Sequence, residues 1–318
     1  MHDQDPRSRR PARTLLNAMS RLSRRDFLRK TAALGAGAAL GSPGLAYAAD
    51  RLLTLPIDLA VARGPSPADN CRAAVEALGG FSAFVKPGSR VVIKPNPVGR
   101  GRPELAINTH PDLVEVVVSG CMKAGAREVL LVSHDEASLF AANGIGAAAE
   151  RAGGAVKALT TADLYREIPI PRGVLLRTDM VSADVLDADV FINMPIAKHH
   201  AGSGVTLSMK NLMGITWDRL RFHRLDLHRC IAELNSAVRQ DLIIMDANHV
   251  LLTNGPSGPG EVRVAQTVIA GVDPVAIDAY TAHAFWGDIT PFHHIRIARE
   301  LGVGEMDLAA LAIKEIAA

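Results

Sequence analysis

The feature that most constrains the fold of this chain is a set of four short, nearly continuous apolar runs. They lie at Arg90 to Pro97, Glu128 to Ser133, Asp189 to Pro195 and Asp241 to Met245. Successive side chains of a strand point to opposite sides, so a run that is apolar at consecutive positions is buried on both faces. The four runs therefore predict inner strands of a sheet that is covered on each side.

Segments with helical spacing lie between these runs. His110 to Ala126 carries apolar residues three and four positions apart, with a proline near its start and a glycine near its end. Ser138 to Gly153 predicts a helix with a glycine-rich interruption, and Leu227 to Val238 and Asp273 to Trp286 predict two more. Strands that alternate with helices predict an α/β protein, with a mostly parallel central sheet and helices on both faces. A smaller β-rich insertion or layer is predicted for two less regular segments, residues 160–188 and 250–272.

The first 48 residues have the organisation of an export signal. A basic stretch leads into Ser23-Arg24-Arg25-Asp26-Phe27-Leu28-Arg29, and a mildly apolar run from Thr31 to Leu45 precedes Ala46-Tyr47-Ala48. The last three residues have the small-x-small pattern that a signal peptidase reads. The apolar run is too short to span a membrane, which takes roughly 20 apolar residues.

This pattern predicts export of the folded chain by the twin-arginine translocase. We expect cleavage after Ala48, and a mature domain of residues 49–318 that works in the periplasm or another extracytoplasmic space. An uncleaved anchor and a disordered basic tail are the alternatives.

The signal also accounts for the basic charge of the whole chain. Residues 1–48 hold nine of the 35 Lys and Arg but three of the 33 Asp and Glu, so residues 49–318 carry −4 rather than the +2 of the full sequence. Binding to nucleic acid normally needs a basic excess. We therefore expect no nucleic-acid partner.

The three cysteines, Cys71, Cys121 and Cys230, are far apart in the sequence, and none belongs to a CxxC pair. No iron–sulfur cluster is expected from this pattern. Cys71 and Cys121 lie in helical patterns, where a small buried apolar role is the simplest interpretation. One disulfide after export is an alternative, which the sequence does not pair.

Three common ligand-binding motifs are absent from the sequence. The loop Gly255 to Gly260 is not followed by GKS or GKT, no GxGxxG opens a helix after the first strand, and there is no GxSxG. The sequence thus disfavours a P-loop protein, a classical NAD-binding protein and an α/β-hydrolase.

Polar side chains follow each of the four predicted strands. Because ligands of open parallel sheets bind beyond the carboxyl ends of the strands, we expect these side chains to lie near one another. They are Lys94 and Asn96, then His134 and Asp135, then Lys198, His199 and His200, and finally Asp246. For any one of them a solvated strand end or a helix cap is the ordinary interpretation. Together they predict a site that binds an anion, holds a metal or exchanges protons.

The segment Gly202 to Gly214 (GSGVTLSMKNLMG) is the most informative stretch of the mature chain. Lys210 and Asn211 form a polar pair among apolar residues, between glycines that allow close approach of the backbone. A surface turn is the alternative. Nearby, His223 and His228 lie among arginines, which is consistent with a pocket for a carboxylate or phosphate group.

These observations define the predicted site. The residues assigned to it are Lys198, His199 and Lys210 for catalysis, and Lys94, Asn96 and Asn211 for ligand binding. Asp246 and Asp278 are assigned to a divalent metal, or to setting the pKa of a lysine. Asp278 is a candidate because it lies in the apolar phase of its helix, where an unpaired acid is costly. The cofactor is otherwise left open.

The chain resembles the DUF362 family, a domain named for lacking a known function. The resemblance covers roughly Leu55 to Val303. It rests on an ordered series of motifs: VKPGSRVVIKPNPV, ADVFINMPIAKHH, TLSMKNLMGI, DLIIMDA, NGPSGPG and GVDPVAIDAY. Some members carry a cysteine-rich, ferredoxin-like region, which is absent here. The resemblance implies a family but no reaction.

Three functions are consistent with these features. The leading hypothesis is an exported enzyme, or a cofactor-dependent protein, that acts on a small anionic or carbonyl-bearing molecule. The second is a non-catalytic periplasmic protein that binds a ligand or a metal. The third, a structural partner of an exported complex, would need no pocket, and the polar strand ends disfavour it. The oligomeric state is left open.

Overall fold

The four apolar runs form strands of one sheet. The computed structural model describes residues 55–135 and 137–318, and Leu55–Ala318 forms one compact unit. In chain order the strands are β1 (Leu59–Arg63), β2 (Arg90–Pro95), β3 (Glu128–Ser133), β4 (Ala155–Ala158), β5 (Tyr165–Pro169), β6 (Thr178–Ser182), β7 (Val190–Met194), β8 (Ile196–His200), β9 (Gly204–Thr206), β10 (Leu242–Leu251), β11 (Val262–Gly271) and β12 (Ile313–Ala317). The α-helices are α1 (Pro67–Ala77), α2 (Pro111–Lys123), α3 (Ala137–Ala142), α4 (Ile145–Arg151), α5 (Ala183–Leu186), α6 (Ser208–Asn211), α7 (Arg219–Arg224), α8 (Leu227–Asn235), α9 (Pro274–Trp286) and α10 (His293–Glu300).

The main sheet runs in the order β12-β1-β11-β10-β7-β2-β3-β4. The strands from β10 to β4 pair in parallel, whereas β11 is antiparallel to both β10 and β1. Past the end of β7 the chain continues as β8, which pairs with the distal half of the long strand β10 and with β9. The predicted α/β class with a mostly parallel central sheet is confirmed.

The two less regular segments have different outcomes. Within residues 160–188, β5 and β6 form a separate two-stranded antiparallel sheet, which is the predicted smaller β-rich part. Within residues 250–272, β11 joins the central sheet itself, with Ile243 opposite Gly271. Its outer half is mostly exposed and carries Arg263 and Gln266 between apolar residues, and only its inner half is continuously buried and mostly apolar. A search for continuous apolar runs therefore does not find the whole strand.

The helices begin and end close to their predicted limits. His110 is the N-cap of α2, and its ring accepts a hydrogen bond from the backbone N–H of Asp112. The predicted helix from Ser138 to Gly153 is two helices, because Gly144 adopts a left-handed conformation (φ 79°) that ends α3 and begins α4. Asp273 caps α9 as predicted, and its carboxylate accepts from Val275 and Ala276.

Helices cover both faces of the sheet. On one face Val91 and Ile93 of β2 belong to a core that includes buried residues of α1 and α2. On the other face Val92 belongs to a core that includes residues of α8, α9 and α10. The alternation within β2 shows that this strand is buried on both sides, which its sequence predicts.

The predicted export signal lies outside the described residues. Within those that the structure does describe, no helix is both long and apolar enough to cross a membrane. Cys71, Cys121 and Cys230 are buried, unpaired thiols.

Candidate functional site

A cleft of about 550 Å³ opens at the carboxyl ends of β2, β3 and β8. Its walls include six residues that the strand-end pattern singles out: Lys94, Asn96, His134, Asp135, Lys198 and His200. Lys210 and Asn211 of α6 line the same cleft. The structure thus brings together side chains that are more than 100 positions apart in the sequence.

Lys94 is held at the floor of this cleft. Its side chain is 1% exposed, and its ammonium group donates to the carbonyl oxygen of Pro95 and to Oδ1 of Asn211, the latter at 3.5 Å. The chain at Gly214 passes directly against it, since a Cβ atom on Gly214 would lie 2.3 Å from Cε of Lys94. Only glycine leaves room for the lysine at this point.

Lys198 enters the cleft from β8 and is fully buried. Its Nζ atom donates to Oδ1 of Asn96 at 3.0 Å and to the carbonyl oxygen of Ile107 at 2.7 Å. Both partners are acceptors only, so the amine uses two N–H groups on them whether it is charged or neutral. Its third position holds a proton in the charged form and a lone pair in the neutral form.

Lys210 has the weakest protein contacts of the three lysines. It is 9% exposed, and among the described residues its Nζ atom contacts only the thioether sulfur of Met213, at 3.7 Å. Sulfur is a weak acceptor, and an ammonium group has three N–H donors. Lys210 therefore presents donors to the cleft that a bound molecule can satisfy.

Asp278 of α9 anchors the start of helix α6, which carries Lys210 and Asn211. The Asp278 carboxylate accepts from the backbone N–H groups of Ser208 and Met209 at 2.7 and 3.0 Å, and from the Ser208 hydroxyl at 2.6 Å. Complete burial raises the pKa of Asp278 to about 7, while these three donors act in the opposite direction.

A directed chain of side-chain amides links the lysines to the core. Each amide nitrogen donates to the oxygen of the next residue, from Asn96 to Asn211 to Asn193 to Gln240 to Asn235, at 2.6 to 2.9 Å. The last amide, on Asn235, donates to the backbone carbonyls of Met209 and Ile231. Because the chain ends on carbonyls, its direction is set, and Asn96 presents its oxygen to Lys198.

Burial lowers the pKa of all three lysines. It reaches about 7 for Lys198, where nearby Lys210 adds to the effect of burial, and about 8 for Lys94 and Lys210. Every acceptor of these amines named above is neutral, so no carboxylate in direct contact offsets the cost of burying the charge.

The carboxylate of Asp135 lies on the β3 side of the cleft. It accepts from the Ser133 hydroxyl at 2.6 Å and from Nη1 of Arg219 at 3.2 Å. Burial acts to raise its pKa, but Lys94, Ser133 and Arg219 outweigh burial and lower the pKa below its ordinary value. Asp135 is therefore an ionised partner of Arg219 and the main counter-charge for Lys94.

The third strand end presents His200 to the cleft, and not His199. Successive residues of β8 face opposite ways, so Lys198 and His200 share one side. His199 lies on the other side, where its Nδ1 atom accepts from the backbone N–H of Gly255 at 3.0 Å. The structure therefore does not bring the predicted catalytic His199 to the other site residues.

His200 is a neutral hydrogen-bond donor in this cleft. Its Nδ1 atom accepts from the backbone N–H groups of Gly202 and Ser203, at 3.0 and 3.3 Å, so the ring proton is on Nε2. Burial, together with the nearby charge of Lys210, lowers the pKa of His200 to about 3. The ring stacks on His223 with 6.3 Å between centroids.

The two carboxylates assigned to a metal do not line the cleft. Asp246 accepts from the backbone N–H of His110 at 2.8 Å and from the backbone and side chain of Asn248. Asp278 anchors α6, as described above. Residues 55–135 and 137–318 contain no group of three or more His, Cys, Asp or Glu side chains placed to hold a metal ion. The geometry gives both aspartates structural contacts instead.

Several cleft residues did not stand out in the sequence. They are Val98, Trp217, Leu220 and Pro256, which lie outside the segment Gly202 to Gly214. Ser133 and Arg219 act through Asp135. The cluster of arginines around His223 was the one usable signal, since Arg219 belongs to it.

Fold and cleft together define an α/β protein with a cleft lined by buried lysines at the carboxyl edge of its sheet. The profile of DUF362, described as a domain of unknown function, matches residues 91–283, which is more than half of the chain. The chain belongs to the DUF362 family.

The chain is also similar to individual proteins. It is 32% identical over 226 residues to the thylakoid-associated protein sll1697 of Synechocystis sp., an alignment that covers 65% of this chain and 66% of the relative, just under two thirds. Among solved structures, a lactate racemase apoprotein from Thermoanaerobacterium thermosaccharolyticum matches with a TM-score of 0.36 and 14% identity over 58% of this chain and 49% of that one. A protein from Thermotoga maritima matches with a TM-score of 0.44 and 13% identity over 75% of this chain and 60% of that one. Both structural similarities are partial.

Proposed function

We propose that this protein is an enzyme that binds a small anionic, carbonyl-bearing molecule in the cleft lined by Lys94, Lys198 and Lys210. It exchanges a proton between this molecule and one of the lysines. The observation that carries the proposal is the convergence of Lys94, Lys198 and Lys210, all buried and all bonded only to neutral acceptors among the contacts described. A buried charge without a counter-ion is costly, and a bound anion removes that cost.

The charge of the cleft wall supports an anionic ligand. The wall has four cationic side chains, Lys94, Lys198, Lys210 and Arg219, and two anionic ones, Asp135 and Asp218. Asp135 is already bonded to Arg219, and Asp218 caps α7 and pairs with Arg224. A carboxylate or phosphate group would thus meet positive charge from the lysines that no carboxylate in direct contact with them balances.

The contacts of the lysines suggest different roles for them. Lys210, whose N–H groups lack strong acceptors in the described part of the chain, is assigned to hold the anionic group. Lys198 is assigned to proton transfer, because a pKa of about 7 populates both its forms near neutral pH. Its two protein acceptors fix the nitrogen in place, and the third position is available to exchange a proton with the ligand.

Lys94 and the two asparagines are assigned to orientation. Asn96 and Asn211 are fixed by the amide chain, and they in turn hold the amines of Lys198 and Lys94. Lys94 is assigned to stabilise negative charge that develops on a carbonyl oxygen during proton removal.

Anion binding is tested by calorimetric titration of the protein with acetate, pyruvate and inorganic phosphate at pH 6.5. We expect at least one to bind, and Lys210→Ala to weaken it by about tenfold or more, since charge-assisted hydrogen bonds are worth roughly 1.5–3 kcal/mol. Lys314→Ala, an exposed lysine on β12, is the matched control. If none of the probes binds, or Lys210→Ala binds as the parent does, the proposal is wrong.

Catalysis is separated from mere binding by hydrogen exchange. The protein is incubated in D2O with 2-oxobutanoate, and loss of the proton signal next to the carbonyl is followed by NMR. We expect exchange faster than in buffer, and slowed by about 100-fold in Lys198→Met, the range for removal of a general base. Saturable binding of the anions without accelerated exchange would instead support the non-catalytic ligand-binding function.

We also propose that the protein works outside the cytoplasm after export by the twin-arginine translocase. The support is the sequence from Ser23 to Arg29 with the apolar run and the Ala46-Tyr47-Ala48 pattern that follow it. This proposal is independent of the chemistry of the cleft.

A further inference from the structure

Trp217 forms an aromatic wall at the mouth of the cleft. Its ring packs against Tyr165 and His134, with centroid distances of 5.4 and 5.6 Å. Its backbone N–H donates to Met180 at 3.0 Å, which ties the residue to β6. The side chain nevertheless keeps 37% of its surface exposed and lines the cleft. Trp217 is therefore held rigidly with part of its surface toward the ligand space.

Leu220 extends this apolar wall. It is 69% exposed, the most exposed large apolar side chain in the described part of the chain, although it lies next to Arg219 in the first turn of α7. Val98, Met213 and Pro256 add further apolar surface to the same cleft. A leucine and a tryptophan exposed on the wall of one cleft mark a surface that gains stability when it is covered.

The cleft is therefore divided by chemistry. The buried lysine amines form its floor, and Trp217 and Leu220 form its mouth. A small anion such as acetate would reach the floor but leave the mouth in contact with water. An apolar group without charge would cover the mouth but leave the lysines without a counter-ion.

We propose that the ligand is an amphipathic anion, with one carboxylate or phosphate head bound by the lysines and a hydrocarbon or aromatic portion lying on Trp217 and Leu220. This inference rests on the proposed function, because it takes the anion-binding floor as given. It adds the substrate class, and it makes Trp217 and Leu220 the residues that determine specificity.

The continuity of the two surfaces argues for this occupant. The apolar residues face the same cleft as the lysines, so one molecule can contact both without a second site. The rigid packing of Trp217 also lowers the entropy lost when an apolar group settles on it. A protein or membrane surface docked on the rim would cover Leu220 without needing the charge of the floor, which distinguishes it in a binding experiment.

The test compares matched pairs of probes on the full-length protein by calorimetry. Acetate is compared with hexanoate and phenylacetate, and inorganic phosphate with phenyl phosphate, so the two kinds of head group are separate arms. We expect the apolar member of at least one pair to bind about tenfold more tightly than the small one, since one methylene in an apolar pocket already contributes about tenfold or more.

Two variants locate the effect at the cleft mouth. Trp217→Ala and Leu220→Ser should each remove most of the advantage of the apolar probe while leaving the affinity for acetate or phosphate within about twofold. Leu220 is mostly exposed, so its variant tests the proposal even where Trp217→Ala folds poorly. Val264→Ser, at a position 63% exposed on β11 and not in the cleft wall, is the matched control.

The possible results separate the two proposals. If small anions bind but the apolar probes bind no more tightly, or if both variants keep the full advantage, the amphipathic ligand is wrong while the anion cleft stands. An affinity for the apolar probes that is unchanged in Lys210→Ala would indicate a rim that docks apolar surfaces independently of the anion, and would also overturn this proposal. Absence of binding by every probe would overturn both.

Discussion

The Nζ atom of Lys198 lies 3.0 Å from Oδ1 of Asn96, a residue 102 positions away in the sequence. The same amide donates from its nitrogen to Asn211 at 2.9 Å, so its oxygen is fixed toward the lysine. Asn96 thus supplies a neutral acceptor where a carboxylate would form a salt bridge, and the pKa of Lys198 stays at about 7 because burial is left unopposed by direct contact with an acid.

Replacing this amide with an acid should change the pH dependence of the site. Asn96→Asp places a negative charge beside Lys198, and an opposite charge this close raises the pKa of an amine by about 1–3 units. We expect the midpoint of the pH profile of catalysed proton exchange to rise by at least one unit, and the affinity for the anionic probes at pH 6 to fall because the aspartate repels them. Exchange rates followed by NMR between pH 6 and 9.5, and calorimetric titration at pH 6, measure the two effects.

Asn254→Asp, an exposed position in the loop before β11, is the matched control and should leave the profile unchanged. An unaltered midpoint in Asn96→Asp would show that Lys198 does not control the proton exchange.

The buried lysines should also make stability depend on pH. Burial lowers the folded-state pKa of Lys198 to about 7, against an ordinary value of 10.5, so the unfolded chain binds more protons between these values. The free energy of unfolding therefore rises with pH across this window, and the full cost of the buried charge is present below pH 7. Lys198→Met should remove up to about 1.4 kcal/mol of this rise per pH unit.

Urea unfolding at pH 6, 7.5 and 9 measures the trend, with Lys314→Met as the exposed control. We expect the free energy of unfolding of Lys198→Met, relative to that of the parent, to be highest at pH 6. If the free energy of unfolding changed with pH equally in parent and variant, the pKa of Lys198 would not be lowered by folding.

Gly214 leaves the space that Lys94 occupies. An added Cβ would lie 2.3 Å from Cε and 2.7 Å from Nζ of the lysine, so Gly214→Ala must displace the amine from the cleft floor. We expect affinity for the anionic probes to fall by about tenfold, the scale of one lost charge-assisted hydrogen bond. Overpacking of this kind also lowers stability by about 1–3 kcal/mol.

Gly202→Ala is a suitable control, because its nearest contacts would be 3.2 and 3.4 Å, at side chains. Calorimetry and thermal unfolding of both variants test the prediction. Anion affinity in Gly214→Ala equal to that in Gly202→Ala would show that the position of Lys94 does not matter for binding.

Asp278 should affect the site indirectly, through α6. In the parent, the backbone N–H groups of Ser208 and Met209 both donate to the Asp278 carboxylate. Asp278→Asn keeps one oxygen as an acceptor but places an N–H donor opposite one of these two N–H groups. An unsatisfied buried donor costs about 1–3 kcal/mol, so we expect a lower melting temperature. Weaker anion binding should accompany it, since α6 carries Lys210 and Asn211.

The matched control is Asp163→Asn, at an exposed position before β5. Metal addition provides a second discrimination. If a divalent metal restores stability to the parent after chelation but not to Asp278→Asn, the carboxylate is a ligand and the anchoring role is wrong.

The export proposal is tested without reference to the cleft. Changing Arg24 and Arg25 together to Lys should leave the full-length protein in the cytoplasm, while the parent is found outside it and, by mass spectrometry, begins after Ala48. A change of one neighbouring basic residue, Arg21→Lys, is the control. Equal distribution of parent and variant would exclude the twin-arginine route, and an exported but uncut parent would indicate a retained anchor.

The sequence determined the fold class and most of the site residues for one physical reason. A strand covered on both faces must be apolar at consecutive positions, and this pattern is visible locally in β2, β3, β7 and β10. The polar residues that end such strands meet at one edge of a parallel sheet, so Lys94, Asn96 and Lys198 were predicted together before any contact was known.

Tertiary structure decided which of these side chains face the cleft, because that depends on register and on partners distant in sequence. Successive side chains of β8 point to opposite sides, so His200 faces the cleft and His199 faces away from it. In the sequence Asp246 is a polar residue after a strand and Asp278 an acid in the apolar phase of a helix. Only the fold reveals the backbone N–H groups that they bind. The amide chain has no local sequence pattern, since it is assembled from segments that meet only when the chain is folded. Trp217 and Leu220 are neighbours in the sequence, but only the fold places them on the wall of the cleft.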